Sequence, residues 1–136
     1  DLGIPLNTDS TLKGQTVFLA ERCGELMHDN IITDRTVLDV MAFTLNANSI
    51  PHQDKTAFEE YANEFIREYD YIFYISPHGL EIEDNGVRET DEHYRDLIDF
   101  TITTLIKRHG HKAGSIDKIS GSTDERIQQI LTITGL

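Results

Sequence analysis

The sequence has 136 residues, 12 basic and 24 acidic side chains, a formal net charge of −12 and one cysteine, Cys23. That charge balance excludes a general duplex-DNA binder, because neutralising phosphates needs clustered lysine and arginine. The lone cysteine excludes an internal disulfide and any cysteine-rich zinc site. The length fits one domain over 1–136, with about two thirds of its unfolded surface buried. No apolar run approaches the roughly 18 to 20 residues of a membrane span, and the start lacks the basic-then-apolar layout of a signal peptide. A soluble, cytoplasmic protein without a membrane partner is expected, its acidity serving solubility first.

The first nine residues, with Gly3, Pro5 and Asn7, read as a loop. Ser10 is the expected cap of a helix reaching about His28, with Leu12, Phe18, Leu19, Cys23, Leu26 and Met27 on its apolar face. Asn30 to Thr33 then supplies a short β-branched run, read as a strand. Asp34 and Arg35 follow at once, and the spacing turns helical over Val37, Leu38, Val40, Met41 and Leu45. A strand delivering a carboxylate and a guanidinium to its exit, before a helix, is the usual place for a ligand in an open α/β sheet.

Pro51 is expected to close that helix, and a further amphipathic helix is expected from Asp54 to Tyr69. Tyr71 to Ile75 (YIFYI) has no polar alternation, as in a parallel-sheet strand covered on both faces. From His78 to Thr90 no period holds, and an Asn85-Gly86 turn signal interrupts it. A long helix follows from Asp91 to His109, with Tyr94, Leu97, Ile98, Ile102, Leu105 and Ile106 inward, and Gly110 stops it. Ser115 to Ser120 reads as a weaker strand. Ser122 and Glu125 have capping-box spacing ahead of a last helix, which also offers a dimerisation face. Alternation of this kind implies an α/β fold, a parallel sheet with helices on both faces.

The ordered set IITDRTVLDVMAF, YDYIFYISP, EDNGVRETDEHYRDLIDFTITTLI and the final strand with its capped helix resembles the P-loop kinase group that includes thymidylate kinases. It resembles more particularly the AAA-type ATPase/kinase domains similar to nicotinamide riboside kinase. The resemblance implies phosphoryl transfer from ATP, with Mg2+, to a small nucleoside or nucleotide acceptor. Asp34 and Arg35 would face the acceptor and the transferred group, a fit to carboxylate and guanidinium chemistry. The alternative for this pair is a salt-bridged strand end. Arg88 and Arg95 would be arginines of a lid over 78–95, the only formal cations among eight acidic residues between His78 and Phe100. Arg95 could instead pair with Asp91 or Asp99.

Asp39 could orient Arg35 or simply occupy an acid-favouring first turn. Gly121 and Ser122 would pass beside the nucleotide base, or only cap the last helix. His109 and His111 have the spacing of some metal sites, yet follow Lys107 and Arg108 at a helix end where cations are favoured in any case. No G-x-x-x-x-G-K-[ST] loop occurs in the sequence. Three expectations compete: the loop lies upstream of these residues, another polypeptide supplies it, or the chain is a non-catalytic nucleotide-binding or protein-interaction module derived from such a kinase.

Overall fold

The computed structural model describes residues 3–77 and 92–136. Arg88 and most of the expected lid lie outside the described residues. Among the described residues the fold is mixed α/β. Five helices, α1 (Leu12–Glu25), α2 (Val37–Leu45), α3 (His52–Ala62), α4 (Glu92–His109) and α5 (Thr123–Thr134), accompany a two-stranded parallel sheet of β1 (Tyr71–Ile75) and β2 (Ser115–Ile119). No helix among the described residues is long and apolar enough to cross a membrane.

The core is built around α2. Val37, Leu38, Val40, Met41, Ala42 and Thr44 are all buried, and α1, α3, α4 and the 3-10 turn Asn63–Glu68 pack about this helix. Leu19, Phe58, Ile66, Tyr69, Ile72, Ile98 and Leu105 complete the cluster. A helix apolar on nearly every side can only be stable surrounded. Two polar groups in this interior are bonded: the Thr44 hydroxyl donates to the Val40 carbonyl at 2.8 Å and also reaches Gln15.

The strand expected at Asn30 to Thr33 does not form. Ile31 and Ile32 lie in irregular chain with Ile32 98 % exposed. β-Branched composition favours a strand only where a neighbouring strand completes the ladder, and the sole partner of β1 among the described residues is β2, in register from Tyr71–Ser115 to Ile75–Ile119. Among the described residues the sheet therefore has two strands where the alternation implied more. Gly114 lets β2 enter beside β1: its amide donates to the Tyr69 carbonyl at 3.0 Å, and a Cβ there would collide with the Asp70 carbonyl oxygen.

Several boundaries move for identifiable reasons. Thr11, not Ser10, caps α1 by accepting from the Gly14 amide, while Ser10 is buried with its carbonyl held by Ser49. Pro51 begins α3 rather than closing the helix before it. The expected helix to Tyr69 tightens into a 3-10 turn at Asn63, whose side-chain amide donates back to the Glu59 and Glu60 carbonyls. Leu97 faces outward, 40 % exposed, and α5 buries none of its residues. Cys23 packs against the core, and burial pushes its thiol up.

The end of α4 is fastened to α3 through charge. Glu59 accepts from Arg108 at 2.5 Å and meets the His109 ring at 2.7 Å. Burial alone would raise this carboxyl, but the hydrogen bonds and charges of Arg108 and His109 outweigh it and hold it below the usual glutamate range. Beside it, Lys112 bonds Asn63 and Glu64. A lowered carboxyl contributes stability above its unfolded pKa and loses it as pH falls through the folded one. Glu59→Gln is therefore expected to destabilise the protein by about 1 kcal/mol near neutrality, the gap to the parent closing below about pH 4; urea melts across pH measure it, and a gap constant with pH would contradict the clamp.

Candidate functional site

The residues at the entry to α2 are held by a closed set of bonds. Thr36 is extended (φ −133°, ψ −178°) and its hydroxyl accepts from the Leu38 amide at 3.0 Å. Its own amide donates to Asp39 Oδ2 at 2.7 Å, completing a capping box. The Val37 amide donates to the phenol oxygen of Tyr69 at 3.2 Å, and the Asp39 amide to the Thr36 carbonyl at 3.1 Å. Burial pushes the Tyr69 phenol up to about 12, so it stays a neutral hydroxyl. The first amides of α2 are all engaged, and any charge presented here comes from side chains.

Those side chains are Asp34 and Arg35, both exposed. Arg35 has φ +75°, a left-handed conformation that costs a non-glycine residue roughly 1 to 2 kcal/mol, and the Thr33 hydroxyl donates to its carbonyl at 3.0 Å. Its guanidinium carbon lies 5.6 Å from the centroid of Phe43. Among the described residues it has no salt bridge. Asp39 does not orient the guanidinium by a hydrogen bond; its carboxylate is spent on the cap. Burial raises the Asp39 carboxyl, opposed by the Thr36 amide and the Arg35 charge.

Phe43 leads on to α4: its ring centroid is 6.4 Å from that of Tyr94. Arg95, the next residue, has its Nε 3.9 Å from Asp96. Of the partners expected for Arg95, Asp91 lies outside the described residues, and Asp99 accepts from the Tyr74 hydroxyl of β1. Burial first, then the Asp99 carboxylate, push the Tyr74 phenol up to about 12, with Ser76 opposing. Tyr74 and Asp99 were not legible as a pair; one read as a covered strand residue, the other as a partner within its own helix.

Gly121 and Ser122 follow β2. Gly121 has φ +97°, where a Cβ would press on the Glu125 carboxylate. Ser122 accepts from the Glu125 amide and donates its own amide to that carboxylate, both at 3.1 Å, so its hydroxyl and amide are occupied in capping α5. Among the described residues no hydrogen bond or salt bridge joins this turn to Asp34 and Arg35. Tyr69, to which α2 is tied, precedes β1, whereas Ser122 lies past the exit of β2. His109 is engaged by Glu59, and no group of three metal-ligating side chains occurs among the described residues. A depression of about 280 Å3 on α5 is lined by Gln128, Gln129, Thr132 and Ile133, none of them an expected site residue.

Because the Asp39 carboxylate serves the cap, Asp39→Ala is expected to lower stability by about 0.5 to 2 kcal/mol, read by urea unfolding; unchanged stability would return Asp39 to the role of an orienting group. Comparison with protein-family models, curated proteins and solved structures finds no match for this chain.

Proposed function

We propose that the chain is the acceptor side of a P-loop-kinase-like domain that transfers a phosphoryl group from ATP to a small nucleoside or nucleotide. The observation that carries this reading is the Arg35 guanidinium, exposed, unbridged among the described residues and resting on an aromatic ring beside an exposed carboxylate. A guanidinium so held keeps its planar fork of donors for phosphate oxygens, and Asp34 is the adjacent group able to orient a hydroxyl or take its proton.

In the reaction the acceptor oxygen attacks the γ-phosphorus of ATP, the bond to the β,γ-bridging oxygen breaks, ADP leaves, and the hydroxyl proton passes to Asp34. Mg2+ would share the phosphate charge; with no three-ligand cluster among the described residues, it would be held mainly by nucleotide oxygens and water, Asp34 reaching it through a water. Arg95, and Arg88 outside the described residues, are proposed to approach the donor phosphates, and Gly121 and Ser122 the base. The reading requires a phosphate loop from polypeptide beyond these 136 residues. The edge of β1 away from β2, unpaired among the described residues and flanked by the exposed Tyr71 and Ile75, supports it as a place where a loop-bearing strand would pair.

The same exposed apolar residues favour a second reading, a non-catalytic nucleotide-binding or protein-interaction module. Turnover of ATP against a panel of nucleosides and nucleotides, by the protein with its phosphate-loop polypeptide present, separates the two. The kinase reading expects Arg35→Ala to lower turnover by at least 100-fold, about 2.7 kcal/mol, with an unchanged melt; retained turnover in that variant would refute the assignment of Arg35.

A further inference from the structure

Phe43 sits eight residues beyond Arg35, two turns into α2, yet the guanidinium folds back along the helix to lie 5.6 Å from its ring centroid. The ring is partly buried and packs against the core. Its neighbour across the seam is Tyr94, on the first turn of α4, at 6.4 Å between centroids with the planes inclined by 36°. At its other end Arg35 is fixed by backbone: φ is +75° and the Thr33 hydroxyl holds its carbonyl. A side chain with four rotatable bonds is thus tethered at the Cα and at the guanidinium. The aromatic face attracts the cation without consuming its in-plane N–H donors, unlike a carboxylate partner. Asp39, the acid nearest in sequence on α2, accepts from the Thr36 amide and forms no salt bridge with Arg35, whose charge it feels only at longer range.

We infer that Phe43, backed by Tyr94, is a positioning residue: an aromatic platform that holds the Arg35 guanidinium ready for a phosphate-bearing ligand and links its position to the first turn of α4. The inference rests on the phosphate role proposed for Arg35, though not on catalysis. Removing the platform leaves the charge in place and frees the side chain to sample other rotamers. Affinity for a phosphate anion then falls by the strength of the stack, about two- to fivefold, the equivalent of roughly 0.5 to 1 kcal/mol.

The test follows the Arg35 side-chain resonances by NMR in the full chain, with inorganic pyrophosphate as the titrant. The parent should show upfield ring-current shifts of the Arg35 δ protons. Phe43→Leu should lose those shifts and bind pyrophosphate two- to fivefold more weakly, and Phe43→Tyr should restore both. Unchanged shifts in Phe43→Leu, or lost shifts with unchanged affinity, would overturn the inference, as would a parent that does not bind pyrophosphate. A parent that binds pyrophosphate through Arg35 but turns over no acceptor when the loop-bearing polypeptide is present contradicts the kinase reading while leaving the platform standing.

Discussion

The rest of the structure depends on the burial of α2. Nine residues long, it has six buried side chains, and it is the element against which α1, α3 and α4 all pack. Each buried aliphatic side chain contributes on the order of 1.5 to 3 kcal/mol, while an isolated helix of this length would be marginal in water. Its tertiary surroundings therefore hold it, and it in turn fixes what lies at its ends. At the entry, Thr36, Asp39 and Tyr69 satisfy every early amide. At the exit, Asn46 donates to the Ala42 carbonyl and to Thr101 of α4 at 2.9 Å each.

That arrangement explains how two exposed charged residues can be positioned without being buried. Asp34 and Arg35 precede a helix that cannot shift without opening the core, and Arg35 is further constrained by its own backbone and by Phe43. Charge on loops is usually mobile, and precision comes from rigid elements beneath it. The α4 helix closes the same frame from the other side. Tyr94 meets Phe43 near its start, Asp99 takes the Tyr74 hydroxyl of β1, and Arg108 and His109 hold Glu59 at its end.

Much of this frame was legible in the sequence, and what was not has physical causes. YIFYI, the Ser115 strand, the long periodic helix after Thr90 and the Ser122-Glu125 capping box announce themselves through local signals. The Asn30 to Thr33 run has the same β-branched character, but a strand is completed by a partner, and local composition carries no information about one. The break at Asn63 came from a side chain bonding its own backbone, which amphipathic spacing does not encode. At the candidate site, the Asp34-Arg35 pair stood out by adjacency. Phe43 and Tyr69 did not: a cation eight residues from its ring falls outside the i,i+4 spacing of helix neighbours, and a phenol 32 residues from the amide it meets leaves no local signal. Asp39 carried two readings, an orienting group for Arg35 or an acid of a helix's first turn, and its bond to the Thr36 amide is of the second kind.

Native-state hydrogen exchange of the α2 amides tests the central claim that a fully surrounded helix carries the site. The account predicts that Met41 to Leu45, whose amides are bonded within α2, exchange only through global unfolding, with the same free energy as the slowest amides of β1. Exchange of these amides through local opening, at a free energy well below that of β1, would mean that α2 is not the fixed support on which Asp34 and Arg35 depend.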